Sequence, residues 1–332
     1  MAVADPVLDD AILASMNEDR DYVADFVFPL CAPTNITANP GTGEYSFTYY
    51  KVDQSNVQGA NQHSLEWTPG SSATSIGISM SDATGTARRY AAKVVIPDCE
   101  VEGFEARGLT DVDRDLVVNA VTQSLLIDKE VRAYAAITAL STNGITRSGS
   151  TLWTDKANSS PLDQMKDAFD SIKTKTNLKA TGLALCKSDF DALAAHPEIA
   201  GALPSDVYGI VDANALSAIL SAKLYGYRVD ESDEARPMIE VRIGGASRNS
   251  ADEGQTASLG YIWSSRSLLF ASPEVGGDGY AALRSPGAGR QFEAMPLTSK
   301  SYTDDDTEQV FTRVAYASGM EFTDEGASYY FA

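Results

Sequence analysis

One uninterrupted helical pattern constrains the fold of this chain more than any other feature. Residues 110–140 contain neither proline nor glycine, and apolar side chains recur at intervals of three, four and seven residues, as on one face of an amphipathic helix. The stripe comprises Leu116, Ala120, Ile127, Val131, Tyr134 and Thr138, with Val117, Val121 and Leu125 beside it. At about 1.5 Å per residue, this predicts a helix roughly 45 Å long. Its charged residues lie mostly off the stripe, so we expect a scaffold without chemistry.

Both ends of this helix carry terminal signals. Thr110 followed by Asp113 has the spacing of a capping box, and Asn143-Gly144 is a stop signal.

Composition narrows the class of protein. The 332 residues suffice for two compact domains, and a hydrophobic content of 43% fits a soluble globular protein. No apolar run could cross a bilayer and no signal peptide is evident, so we expect folding in the cytoplasm and no membrane partner. The net charge of −20 disfavours specific nucleic-acid recognition. Cys31, Cys99 and Cys186 are odd in number and far apart, which predicts reduced thiols rather than disulfides.

The N-terminal third predicts an arm, a strap and a projecting hairpin. Residues 1–25 are polar and acidic, and residues 26–43 are apolar and then rich in proline and glycine, which suits an extended strap. Residues 45–50 alternate as a strand, residues 53–85 form a polar tongue, and residues 90–96 are strand-like again. The tongue has too few large apolar residues to form a core, so we expect it to become ordered only against a partner.

The C-terminal two thirds predict a mixture of helices and strands. The predicted helices begin at Pro161, at Ser188 as a cap, and at Asp212, with His196-Pro197 ending the second. The predicted strands are residues 179–186, 227–229, 237–243, 259–263, 268–271 and 308–316, and residues 273–289 are a glycine-rich loop. The fold class predicted is therefore α+β.

The succession of these segments resembles the major capsid proteins of tailed bacteriophages, which have the Hong-Kong-97-type fold. The resemblance covers nearly the whole chain, although no single motif is diagnostic. The segments that carry it are FVFP (26–29), YAAKVVIPD (90–98), LLIDKEVRAYAAI (125–137), TLWTDKANSSPLDQMKDAFDSI (151–172) and ATGLALCKSDFDALAAHPEIAG (180–201).

The resemblance implies a division of the chain into four parts. Residues 1–43 would be the N-terminal arm and strap, and residues 44–95 the extended loop that lies across a neighbouring subunit. Residues 96–160 and 286–332 would form a peripheral domain around the spine helix, with a small sheet that the C-terminal strand completes. Residues 161–285 would form the axial domain.

The resemblance also implies a function. We expect a structural protein, not an enzyme, that self-assembles through pentamers and hexamers into an icosahedral head enclosing double-stranded DNA. It would be made in the bacterial cytoplasm and reside in the virion, with a scaffolding protein, portal and decoration proteins as partners and only nonspecific contact with DNA. The segment before Phe26 is short for a built-in scaffold, which favours a separate scaffolding protein or none. The candidate contacts between subunits are Lys51, Trp67, Arg88 and Arg89.

Motifs for chemistry are missing from the sequence. His63 and His196 lack zinc-ligand spacing, and no phosphate-binding loop or nucleophile elbow occurs. Asp304, Asp305 and Asp306 lack the ligand spacing of a calcium loop and are expected to form a solvated turn. We expect no cofactor and no metal. Two alternatives stay open: an encapsulin-type compartment shell, and an acidic α+β enzyme or binding domain, which particle size would distinguish from a shell.

Overall fold

The computed structural model describes residues 26–31, 34–37, 46–53, 69, 72, 79–97, 112–203, 211–225, 239–251, 254–273, 287–304 and 309–332. Within these ranges the α-helices are α1 (Phe28–Cys31), α2 (Val112–Thr138, the spine helix), α3 (Pro161–Thr176), α4 (Lys187–Ala194), α5 (Pro197–Ala200) and α6 (Ala213–Tyr225). The strands are β1 (Thr34–Thr37), β2 (Ser46–Asp53), β3 (Ser79–Thr86), β4 (Arg88–Pro97), β5 (Gly144–Ile145), β6 (Gly182–Cys186), β7 (Glu240–Gly244), β8 (Ser247–Asn249), β9 (Leu259–Tyr261), β10 (Ser267–Phe270), β11 (Gly289–Asp304), β12 (Gln309–Phe322) and β13 (Ser328–Phe331).

The spine helix confirms the predicted scaffold, but its end is set by a distant arginine. The Nη1 atom of Arg266 donates to the carbonyl oxygens of Ile137, Thr138 and Leu140 at 3.2, 2.7 and 2.8 Å. Carbonyl oxygens at a helix C-terminus lack the amides of a next turn, although that of Ile137 also accepts from the Leu140 amide at 3.1 Å, and a cation suits the negative end of the helix dipole. The helix therefore ends before the predicted stop signal at Asn143-Gly144. The predicted cap at Thr110 lies outside the described residues.

The predicted stripe on the spine helix is confirmed in its middle, where Ile127, Val131 and Tyr134 pack against the main core, but not at its ends. Ala120 and Thr138 are exposed, whereas the flanking row with Val121 and Leu125 is buried. Val121 and Leu125 pack against Val314 and Tyr316 of β12. Farther along, Ala133 and Ile137 join the main hydrophobic core. The helix is covered by different layers along its length, and periodicity alone cannot predict that arrangement.

Two sheets flank the spine helix. The four-stranded sheet has the order β1-β11-β12-β4, in which β1 is parallel to β11 and the other pairs are antiparallel. The five-stranded sheet has the order β5-β13-β10-β6-β7 and contains both parallel and antiparallel pairs. Strand β13 therefore lies beside strands from residues 161–285, although the expected peripheral domain includes residues 286–332. The four-part division itself stays a prediction.

The hairpin has a different return strand from the predicted one. Strand β2 pairs in antiparallel register with β3, from Ser46 opposite Thr86 to Asp53 opposite Ser79. The predicted return strand, residues 90–96, instead belongs to β4 and pairs with β12. The β3 sequence SMSDATGT lacks large apolar side chains other than methionine, so it carries no strand signal. Backbone pairing with β2 forms the strand nevertheless.

Several smaller predictions are also corrected. The strap contains one helical turn, α1, rather than only extended chain. Helix α4 begins at Lys187, and its N-cap is Cys186 rather than Ser188. The predicted apolar strand 259–263 is β9, which forms an exposed hairpin with β8. Strand β11, 16 residues long, was not predicted, because its apolar residues alternate irregularly around two register shifts. The predicted strand 227–229 lies outside the described residues.

The other helices and central strands follow the predicted pattern. Helix α3 begins at Pro161 and buries Met165, Phe169 and Ile172 against the main core. All five residues of β6 are buried. Asp212 caps α6, since its Oδ1 accepts a hydrogen bond from the Ala215 amide at 2.7 Å.

Candidate assembly interface

Aromatic packing anchors the base of the hairpin to its own chain. The rings of Phe47 and Phe292 stack with centroids 4.0 Å apart, and Tyr49 lies 5.7 Å from Phe292. Burial, followed by the nearby Glu321 carboxylate, raises the pKa of Tyr49. The expectation that the tongue orders only against a neighbour is therefore too broad. Residues 46–53 and 79–86 pack within one subunit, and the expectation now concerns residues 54–78.

Two glycines permit this close packing. A Cβ atom on Gly85 would lie 2.4 Å from the Phe47 ring, and one on Gly319 would lie 2.9 Å from it. Real Cβ contacts are not this short, so both positions require glycine for the ring to lie flat against the sheet.

The two candidate arginines lie on β4 rather than on the hairpin. Arg88 is opposite Ser318 of β12, and Arg89 is opposite Ala317. Both are exposed, and successive side chains of a strand point to opposite faces. Arg88 lines a cleft of about 350 Å³ between β3, β4, the spine helix and β12, whereas Arg89 does not line it. The hairpin's return strand is β3, so both arginines lie beyond it in the chain.

Cations on the spine helix form one wall of this cleft. The guanidinium of Arg132 lies 3.4 Å from the Tyr90 ring centroid and donates to Asp128 at 3.0 Å and to the Tyr316 hydroxyl. The Lys129 ammonium lies 4.6 Å from the Phe28 ring centroid. Burial lowers the pKa of Lys129 to about 8, although the Glu293 carboxylate opposes this shift. Arg132 and Asp128 thus form an ion pair on this wall, and the Glu321 carboxylate also lines the cleft.

The other two candidates are placed differently. Lys51 is exposed on β2 and lines a shallow cavity with Thr142, Asp324 and Glu325. The structure thus separates Lys51 from the cleft that Arg88 lines. Trp67 lies outside the described residues.

A fully buried glutamate is the feature that sequence reasoning missed. Glu130 of the spine helix is 0% exposed and accepts hydrogen bonds from the Val27 and Phe28 amides and from the Trp263 indole. The sequence does carry a signal for it. Glu130 lies three residues after Ile127 and four before Tyr134, which is helical spacing on the apolar stripe itself.

Large apolar side chains are exposed at the edges of the fold. Leu259 and Tyr261 of the β8–β9 hairpin are 76% and 52% exposed, and Val95 lies on the edge strand β4. Apolar exposure at strand edges favours association with another chain.

Both His196 and Cys186 have hydrogen-bond partners within the fold. His196 is buried; its Nδ1 accepts from the Glu198 amide at 3.2 Å, and its Nε2 lies 3.1 Å from the Ser159 hydroxyl. Burial, followed by the Asp189 carboxylate, raises the pKa of the Cys186 thiol. Among the residues described, three or more metal-ligating side chains never cluster. None of their helices is long and apolar enough to span a membrane. Cys99, His63, Asp305 and Asp306 lie outside the described residues, and Cys31 is described only as the last residue of α1.

Comparison with known proteins yields structural matches. No protein-family model and no curated protein sequence matches the chain. A phage-related protein from Bordetella bronchiseptica RB50 matches with a TM-score of 0.62 at 16% identity, over 99% of this chain and 96% of that chain. The capsid structure of the cyanophage P-SCSP1u matches with a TM-score of 0.53 at 14% identity, over 92% and 87%.

A third match is a virus-like particle from Pyrococcus furiosus, with a TM-score of 0.53 at 12% identity over 98% of this chain and 97% of that chain. All three matches span almost the full length of both proteins, so they concern the whole arrangement of elements. The chain therefore has the Hong-Kong-97-type capsid fold.

Proposed function

We propose that this chain is the major capsid protein of a tailed bacteriophage. Copies assemble through pentamers and hexamers into an icosahedral head that encloses double-stranded DNA. The observation that carries this proposal is the structural match to a cyanophage capsid over nearly the full length of both chains. The role we propose is structural rather than enzymatic, and the match to a capsid structure supports it.

The hairpin and strand edges support assembly. Strands β2 and β3 form a ribbon that Phe47 anchors near the Ser46–Thr86 pair, and residues 54–78 connect Asp53 to Ser79 at the opposite end of the ribbon. We propose that this segment, including Trp67, contacts a neighbouring subunit. Lys51 and Arg89, which are exposed, provide further contacts there. Arg88 contributes instead through the cleft that it lines.

The expected division of the chain fits this role with one change. The hairpin is the extended loop, and the spine helix with the four-stranded sheet forms the peripheral domain. Residues 161–285 form the axial domain, to which we add β13 because it pairs with β10. The proposed location is the virion, after synthesis in the host cytoplasm. Scaffolding, portal and decoration proteins are the proposed partners.

The test is the size and shape of the purified protein. We expect closed shells or hexamers and pentamers by negative-stain microscopy and by light scattering coupled to gel filtration. A monomer or dimer at every protein and salt concentration would contradict the proposal and favour the enzyme or binding-domain alternative. If shells form, their contents in an infected or expressing cell distinguish a DNA-containing head from a protein-filled compartment.

DNA contact should be weak and without sequence preference, because a subunit with a net charge of −20 repels phosphate overall. A gel shift with free subunits that persists in excess competitor DNA would refute this.

A further inference from the structure

Glu130 connects three segments that are distant in the sequence. Its Oε1 accepts from the Val27 amide at 2.9 Å and from the Trp263 indole at 2.6 Å, and its Oε2 accepts from the Phe28 amide at 3.0 Å. The residues bonded to it are 103, 102 and 133 positions away. A carboxylate with no solvent exposure is costly to bury unless its oxygens are hydrogen-bonded. Here both oxygens are.

Neighbouring groups hold the same part of the strap. Arg242 of β7 pairs with Glu240 at 2.8 Å and donates from Nη1 to the Phe26 carbonyl at 3.4 Å. The Lys129 ammonium lies over the Phe28 ring. The Ser272 hydroxyl donates to the Leu30 carbonyl at 3.5 Å. Residues 26–30 are thus bound both by the spine helix and by residues beside the five-stranded sheet.

The protonation state of Glu130 decides whether these bonds coexist. An ionised carboxylate only accepts hydrogen bonds, whereas a neutral carboxyl carries an O–H that must donate. All three groups hydrogen-bonded to Glu130 are N–H donors, so the O–H of a neutral carboxyl would face a donor and find no acceptor among them. Burial raises the pKa of Glu130, while the three N–H donors and the Arg242 charge act in the opposite direction.

We infer that Glu130 is a proton-controlled latch for the N-terminal strap. In its ionised form it holds residues 26–31 at the junction between the spine helix and the five-stranded sheet. In its neutral form it releases them and frees the loop between β9 and β10, which carries Trp263. Residues 1–25 join the described chain at Phe26, so the latch also determines the position from which that acidic segment begins.

Hydrogen exchange of free, unassembled subunits tests the latch directly. Peptides that contain Val27 and Phe28 report the two latch amides, after correction for the intrinsic pH dependence of exchange. In the wild-type protein we expect protection at neutral pH that is lost on acidification in a single-proton transition. In Glu130→Gln we expect exchange at least about tenfold faster at neutral pH and no such transition, because the amide NH₂ opposes one of the N–H donors.

Two further variants separate a latch from a general loss of packing. Asp128→Asn removes the same charge from an exposed position on the same helix, and should keep wild-type protection and its transition. Trp263→Phe removes one donor but leaves the strap bonds, so protection should persist at neutral pH and the transition should move to higher pH.

The inference is overturned if wild-type protection stays constant through acidification, or if Glu130→Gln exchanges at the wild-type rate. If Glu130→Gln does not fold, the wild-type and Trp263→Phe pH profiles decide alone. These measurements use single subunits, so their failure is distinct from a failure to form shells.

Discussion

At the scale of single residues, the spine helix buries two charged side chains, although the sequence predicted a scaffold helix whose charges lie mostly off the apolar stripe. Lys129 and Glu130 are adjacent on the spine helix, and both are largely removed from water. Lys129 lies over the rings of Phe28 and Tyr316, whereas Glu130 is satisfied by N–H donors. Their pH dependences should therefore differ.

We predict that Lys129 makes the free subunit more stable as pH rises from about 8. The native pKa is about 8, below the ordinary value of 10.5, so the unfolded chain binds more protons between these values and stability increases with pH. Below pH 8 the cost of burying the charge is fully present. Lys129→Met should remove this rise, which is roughly 3 kcal/mol. Urea unfolding across the pH range measures it.

The exposed lysine of β4 provides the control for that experiment. Lys93→Met makes the same chemical change outside the core. Identical pH profiles for the wild type and Lys129→Met would contradict the prediction.

Gly85 should be intolerant of even one methyl group. An added Cβ would overlap the Phe47 ring, and overpacking of this kind costs roughly 1–3 kcal/mol. We expect Gly85→Ala to loosen the hairpin base, seen as faster hydrogen exchange in β2 and β3 while the five-stranded sheet stays protected. Gly260→Ala is the matched control, because a Cβ there meets open space. Equal exchange in both variants would show that the ring moves aside at no cost.

At the scale of elements, the hairpin divides into an anchored base and a far segment. Its base is packed by Phe47, Tyr49 and Phe292, which explains why a strand with so few apolar residues as β3 forms at all. Residues 54–78 can therefore be deleted while the paired strands β2 and β3 are kept.

We predict that replacing residues 54–78 with a short turn leaves a folded subunit that no longer closes shells. Strands β2 and β3 pair from Asp53 opposite Ser79, so a two-residue Asn-Gly turn matches the ends of the ribbon. Circular dichroism and thermal unfolding check the fold, and negative-stain microscopy checks the shells. Normal shells would mean that the segment is not an assembly element, and unfolded subunits would mean that it stabilises the monomer.

At the scale of the whole molecule, net charge opposes association. Each copy carries −20, and screening shortens the range of repulsion to about 10 Å at 0.1 M salt. We predict that the yield of shells, followed by light scattering, rises several-fold when sodium chloride is raised from low to moderate concentration. Sucrose of equal osmolality should not reproduce the rise. A yield independent of ionic strength would contradict the prediction and indicate that apolar contacts between subunits supply the binding energy.

The sequence by itself determined the elements whose pattern is local. The spine helix, the Pro161 helix and strands β4 and β6 follow from apolar spacing and terminal residues, and their succession was enough to predict the capsid fold. The exposed positions of Lys51, Arg88 and Arg89 also agree with their charge.

Only the tertiary structure decided which strand pairs with which and where the spine helix is buried. Strand β2 pairs with β3 rather than with β4. The sequence could not predict this choice of partner, because backbone hydrogen-bonding groups are nearly the same at every residue. The burial of Glu130 was not predicted, because its carboxylate depends on hydrogen-bond donors more than 100 residues away in the sequence. Such long-range satisfaction of polar groups leaves no periodicity in the chain, so it becomes visible only when the segments are brought together.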